Sequence, residues 1–263
     1  MTNKYLVIPN KKEVKKVSNV DFLFPLKGFC VGMNVEFLIE ELEDGVYVYI
    51  NRVLDSISIL ELKECFIKGK DKIKGVVFED LGVLTLINEL NLNVEKILYA
   101  THALCGANTI NAYLKYVDTA IISSDITYEE TEEILRLAQK NLIVYVYGPL
   151  FYMYSRRTLL TNYQKNFALE NNKILVLLEP ITKQKFFVVE SDFGTVFMDE
   201  AMYDGRRLLN HDNVAKYLIN LSWLQGDIEE FMESFETKEL PNTTSGFLDK
   251  KTIYRLPPRK EEK

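Results

Sequence analysis

A short, unbroken apolar run followed by a stretch of helical periodicity recurs along this chain, and that rhythm limits its folds more than any other feature. "KYLVIP" (4–9), "VDFLFP" (20–25), "VYVYI" (46–50), "KGVVFED" (74–80), "KILYA" (96–100), "DTAIISS" (118–124) and "NLIVYVY" (141–147) read as strands. Helical spacing follows or separates them at 34–43, 56–66, 81–90, 107–116 and 127–140, with Asn34 as a cap for the first. Thr127 with Glu130 three residues on is a capping box. Strands that are apolar on both faces, alternating with helices, belong to a parallel sheet covered on both sides.

The rhythm breaks after residue 147. "KILVLLEP", "KQKFFVVESD" and "GTVFMDEA" succeed one another with only turn-sized gaps, the mark of a small antiparallel unit. A helix near 208–216, an eighth strand at "YLINLSW" (217–223) and a last helix at 227–236 follow. About eight βα units in 263 residues predict an α/β fold, a TIM-like (βα)8 barrel with a small antiparallel β insertion after strand seven. An open doubly wound sheet is the alternative. The expected organisation is one barrel domain over 1–240 with the insertion at about 170–203. An irregular tail over 241–263 completes it, with a short strand at 252–256 and disorder from Pro257 onward.

In a barrel, chemistry sits at the C-terminal ends of the strands. The strand ends supply Asn51 and Arg52, Glu79 and Asp80, Thr101 and His102, Ser123 to Asp125, Tyr147, and Trp223 with Gln225. Glu79 and Asp80 are neighbours at a strand end, so they point apart and do not act as a pair. His102 and Cys105 form an H-x-x-C pair, but too few further ligands exist for a metal site; Cys105 reads as a buried small apolar residue and His211 as a surface one. Only Cys30, Cys65 and Cys105 occur, which argues against a disulfide framework. No P-loop, G-x-G-x-x-G, H-E-x-x-H or G-x-S-x-G is present.

"YGPLFYMYSRRTLLTNY" (147–163) reads as a Gly-Pro turn, then aromatics, then two adjacent arginines. Arg156 and Arg157 suit bidentate carboxylate or phosphate binding, and Tyr147, Tyr152, Tyr154 and Tyr163 supply rings. The alternative is a solvated arginine pair over an aromatic hinge. A net charge of −6 argues against a generally nucleic-acid-coating surface but leaves room for a local basic patch. No run approaches the length of a membrane span and no signal-peptide core precedes the first strand, so the cytoplasm is the expected location.

This stretch resembles the signature of peptidase family U32, the collagenase-like peptidases: His-Gly-Ala-x-Cys-x-x-Tyr-Ser-Gly-Arg-Cys-x-x-Ser. Gly148, Tyr154, Ser155 and Arg157 match it. The preceding "SSDITYEETEEILRLAQKNLIVYVYG", "YATHALCGANTINAYLKY" and the late "SGFLDKKTIYRL" resemble the family in order, and the last resembles its short, cluster-less members. The signature His is Tyr147 here, its two cysteines are Phe151 and Thr158, and no Cys follows Cys105. In relatives those cysteines hold an iron–sulfur cluster for oxygen-independent hydroxylation, so the resemblance implies no cluster in this chain. It implies a role beside a longer cysteine-rich relative that carries the cluster, in hydroxylation of the tRNA wobble uridine with prephenate as hydroxyl source. The implied partners are that relative, in a hetero-oligomer, and tRNA; neither membrane nor DNA is expected. The candidate ligand-binding residues are Arg156, Arg157, Tyr154, Ser155, Tyr147, Asn51, Arg52, Glu79, His102 and Ser124. The competing readings are a peptidase, for which no catalytic machinery is visible, and a barrel that binds a small anion without chemistry.

Overall fold

The computed structural model describes residues 3–251. Among these, eight parallel strands close into a ring: β1 (Tyr5–Ile8), β2 (Val20–Pro25), β3 (Val46–Ile50), β4 (Ile73–Phe78), β5 (Glu95–Leu98), β6 (Thr119–Ile122), β7 (Leu142–Ser155) and, after an interruption, β11 (Val214–Asn220). Closure is made by β11, which pairs in parallel with β1 (Tyr217 opposite Tyr5) and with β7 (Tyr217 opposite Val144). The TIM-like barrel expected from the apolar rhythm is therefore present.

The helices α1 (Ser56–Gly69), α2 (Leu81–Glu89), α3 (Ala107–Tyr113) and α4 (Tyr128–Leu137) lie between strands. Their starts are fixed locally. Asp55 accepts from Ser58 N, Asp80 from Gly82 N, and Thr127 and Glu130 form the reciprocal box. Asp80 also accepts from Leu54 N at 2.9 Å, so this strand-end carboxylate is a scaffold element joining two βα loops.

Strand β7 has 14 residues, far more than its barrel neighbours. Its first half lies between β6 and β11; its second half leaves the barrel and pairs antiparallel with β10 (Gly194–Asp204). Strands β9 (Lys185–Ser191) and β8 (Ile174–Leu178) extend this sheet, and β12 (Thr243–Thr244) adds in parallel to β10. The antiparallel insertion after strand seven is thus a sheet whose spine is borrowed from the barrel. One of its faces packs on the loops after β2 and β11: Val31 and Trp223 meet Phe151, Val189, Val196 and Met198 in an apolar cluster separate from the main core. The sheet therefore roofs that side of the barrel's C-terminal end.

Several expectations are corrected. Gly148-Pro149 is no turn: β7 runs through it. Gly148 takes φ +136, and a Cβ there would lie 2.3 Å from Tyr145 Oη and 2.6 Å from Asn220 O. The segment 34–43 forms only a 3-10 turn at Ile39–Glu41, because Phe37 is drawn into backbone bonds with Pro25 O and Lys27 N at the end of β2. The segment 208–216 is not a helix; β11 begins at Val214 and pairing with β1 and β7 overrides local propensity. A helix that local sequence did not announce, α5 (Leu159–Asn166), follows the arginine pair. The last helix, α6 (Ile228–Ser234), starts at Asp227, which accepts from Glu229 N and Glu230 N. Residues 241–251 pack onto the barrel, with Leu248 buried and its carbonyl accepting from Tyr128 N. The short strand expected at 252–256, and everything from Pro257 on, lies outside the described residues.

Gly148→Ala combines a left-handed φ with two clashes, one against backbone. Its unfolding free energy in urea is expected to fall by about 3 kcal/mol; a change near zero counts against Gly148 as the required exit from the barrel.

Candidate functional site

The residues singled out from sequence do not converge on one point. They fall into separate groups around the C-terminal end of the barrel.

The first group joins the end of β3 to the roof. Asn51 is buried, and its amide holds the β2–β3 loop at both polar groups of Val31: Oδ1 accepts from Val31 N at 2.8 Å and Nδ2 donates to Val31 O at 3.0 Å. Arg52 is also buried. It donates to Gly28 O and to Ser58 Oγ, and its guanidinium lies 3.9 Å from the centre of the Phe193 ring at the β9–β10 turn. Tyr154, on the barrel-facing side of the roof, donates to Phe193 O at 2.9 Å. Arg156 pairs with Asp55 at 3.0 Å across to the start of α1. Ser155 Oγ accepts from Arg157 N. The Arg157 side chain is exposed, and among the described residues no carboxylate pairs with it.

The arginine segment is anchored from below by β9 and β10. The Glu190 side chain is fully buried; its carboxylate accepts from Leu160 N at 2.8 Å, from Thr161 and Thr195, and from Lys173 Nζ at 2.8 Å. Thr195 Oγ1 donates to Arg157 O at 2.8 Å and accepts from Leu159 N at 2.9 Å. Glu190 thus takes the place of a local N-cap for α5, whose own Thr158 makes no side-chain cap bond.

The second group sits on β4–β6. Glu79 accepts from Thr101 N at 3.0 Å, and burial, the leading cause, raises its pKa above the usual carboxylate range. His102 Nδ1 lies 2.5 Å from Asp125 Oδ2, which fixes the ring. Cys105, read from sequence as buried, is exposed; its thiol is 3.6 Å from His102 O, and partial burial raises its pKa. A nucleophilic thiol needs the opposite shift. His211 is half-buried beside Tyr128, its Nε2 3.0 Å from the phenol oxygen.

Tyr147 and Ser124 lie apart from both. Tyr147 packs on Phe231 and Phe235 and lines a cleft of about 390 Å3 between the middle of β7, the end of β11 and α6. Trp223, Asp227 and Glu230 also line it. Ser124 borders a small crevice with Tyr145, Tyr203 and Leu248. Sequence reading placed Trp223 and Gln225 at the mouth but missed this cleft, because Asp227 and Glu230 carry only the signal of a helix start.

Residues 34–171, more than half of the chain, match the model of peptidase family U32. The chain belongs to peptidase family U32. No curated protein matches it. Among solved structures it is similar to the C-terminal domain of a candidate chitinase from Desulfitobacterium hafniense DCB-2. Identity is 14% over 73% of this chain and 77% of that one, with a TM-score of 0.34. Set on the U32 signature, the seat of the first cysteine is Phe151, whose ring lies in the apolar cluster against Gly32. The second seat is Thr158, at the entry to α5. The three cysteines present do not replace them: Cys30 is buried beside Tyr49 O, Cys65 is on α1, and Cys105 follows β5. Among the described residues no three His, Cys, Asp or Glu side chains group as metal ligands. This donor set does not fit a thiolate-held iron–sulfur cluster. No helix among the described residues is long and apolar enough to cross a membrane.

Burial alone would raise the Glu190 pKa; the bonds from Lys173, Thr161 and Thr195 outweigh it and bring it down to about 2 from 4.5. A depressed folded value stabilises the fold above pH 4.5, and this contribution disappears as the pH falls from 4.5 through 2. Its size is about 3 kcal/mol. Denaturant unfolding of wild type and Glu190→Gln across that window is expected to show the acid loss reduced by about this amount in the variant. Parallel curves defeat the assignment.

Proposed function

We propose that this chain is a cluster-free accessory subunit in oxygen-independent hydroxylation of the tRNA wobble uridine. It works in the cytoplasm beside a longer, cysteine-rich U32 relative that carries the iron–sulfur cluster and the redox step. Phe151 carries the reading. At the seat of the first signature cysteine, an aromatic ring helps to hold the roof on the barrel, so a position that serves chemistry in relatives serves packing here. What the chain keeps is the matched signature Arg157, exposed and without a carboxylate partner among the described residues, on a segment fixed by Glu190 and Thr195. A free guanidinium carried on a fixed backbone suits phosphate of an RNA backbone or a carboxylate of prephenate.

The second reading is a peptidase, favoured by the oriented His102–Asp125 pair beside Cys105 and Ser123. Against it stands the raised thiol of Cys105. Cleavage of a peptide library by the pure protein, abolished by His102→Ala, supports that reading.

Deleting the gene in its native host, followed by mass spectrometry of digested tRNA, is expected to reduce hydroxylated wobble uridine several-fold. Wild type restores it and Arg157→Ala restores it poorly. Unchanged modification after deletion sinks the proposal.

A further inference from the structure

Among the described residues, the roof ends in a strand paired on one side only. Strand β8 pairs with β9 on one side only and is the last strand in the sheet order. Its sequence is ILVLL, five apolar residues with no charge and no proline. Natural edge strands are usually blunted by such residues, and this one is not. The face it turns toward the barrel side is open: Ile174 is 49%, Val176 53% and Leu178 56% exposed. Its neighbours on the same face, Val189 and Phe187 opposite Ile174 and Val176, belong to the apolar cluster.

The hydrogen-bonding pattern fixes which groups point outward. Glu190 N donates to Lys173 O and Glu179 N donates to Gln184 O. In an antiparallel ladder bonded positions alternate, so Lys173, Leu175, Leu177 and Glu179 face β9. The N–H and C=O groups of Ile174, Val176 and Leu178 therefore face the free edge. These three are symmetric about Val176.

We infer that β8 is the dimerisation edge of this chain, pairing antiparallel with β8 of a second copy about a two-fold axis at Val176. That register sets Val176 opposite Val176 and Ile174 opposite Leu178. Each of the three outward-facing residues then meets an outward-facing residue, which satisfies all six donors and acceptors of each strand's edge. Apolar side chains meet apolar ones on both faces. At the flanks Lys173 of one copy, whose ammonium also holds Glu190, falls opposite Glu179 of the other. A shift of one residue to either side would set bonding groups against non-bonding ones and turn faces over. The contact is isologous and closed, as a two-fold requires. It joins the second half of β7, β10, β9 and β8 with their mates into one continuous sheet across two barrels. The inference goes beyond the tRNA reading and does not depend on it.

Sedimentation velocity over a concentration series tests it. Wild type is expected to shift from monomer to dimer as concentration rises. Val176→Lys places two ammonium groups against each other at the axis. Val176→Pro removes an N–H that β9 does not use. Both are expected to sediment as monomer with far-UV circular dichroism and unfolding midpoint close to wild type. Ile57→Lys, on the exposed side of α1, is expected to leave the dimer intact. Val176→Cys is expected to give an oxidised dimer whose linked peptide carries residue 176 from both copies, since bonded antiparallel positions lie about 5.5 Å apart at Cα, within disulfide reach. A wild type that stays monomeric at every concentration overturns the inference and leaves the edge to a strand from another protein. So does a dimer that survives both Val176→Lys and Val176→Pro, or growth into open-ended oligomers.

Discussion

Gly148 is the point on which the upper half of this molecule turns. Strand β7 must serve two sheets in succession, first between β6 and β11 and then beside β10. The change of partner needs a sharp redirection where Asn220 of β11 and the Tyr145 hydroxyl crowd the backbone. Only a residue without Cβ, free to take φ +136, passes there. Pro149 follows and its carbonyl accepts from Tyr145 at 3.0 Å. Once the strand has left the barrel in this direction, its aromatic side chains are delivered over the loops after β2 and β11, and the apolar cluster forms between them. The fixed positions of Asn51, Arg52 and Trp223 are consequences. Asn51 holds Val31 under the roof, Arg52 stacks on Phe193 of the roof, and Trp223 Nε1 donates to Gly32 O at 2.9 Å beneath Phe151.

The barrel was legible because its signal is local. Apolar strands at a regular interval, and Asp55, Asp80 and Thr127 before helices, each declare themselves within a few residues. What was misread depends on partners far along the chain. Gly-Pro reads as a turn in any local scheme, and only pairing with β10, some 50 residues later, makes it the middle of a strand. Helix α5 was silent because its cap is Glu190, about 30 residues away, rather than Thr158. Asn34 looked like a cap, but Phe37 finds backbone partners at the end of β2 and keeps the chain extended. Residues 214–216 looked helical and became strand because the ring needs an eighth member.

The candidate site was legible in its chemistry and not in its geometry. The strand-end rule gathers polar residues without telling committed groups from free ones, and it puts Tyr147 at a strand end where β7 in fact runs on to Ser155. Arg52 and Arg157 show the difference. Arg52 spends its donors on Gly28 O and Ser58, and its face on Phe193, so it is a structural clamp. Arg157 has its backbone held by Thr195 and its guanidinium left in solvent. Glu79 and Asp80 divide in the same way. Asp80 is consumed by backbone donors of two loops, while Glu79 sits half-buried beside the His102–Asp125 pair with its proton held more tightly.

The roof also explains why its far edge is bare. A sheet grafted onto a barrel through one long strand has its cover decided by distance from that strand. Near β7 and β10 the barrel loops cover one face, and α5 packs on the other through Leu160 and the Glu190–Thr195 pair. By β8 the cover on the barrel side thins, and among the described residues Ile174, Val176 and Leu178 are left about half exposed. Five consecutive apolar residues at such a place are a cost in a monomer, because the same surface invites uncontrolled pairing. A closed two-fold contact resolves this, since it uses up the edge on both copies and leaves none to propagate. In that arrangement the aromatic that stands at the signature cysteine's seat and the strand that meets its mate belong to one sheet. Phe151 anchors the sheet to the barrel at one end, and Val176 presents it to a second copy at the other.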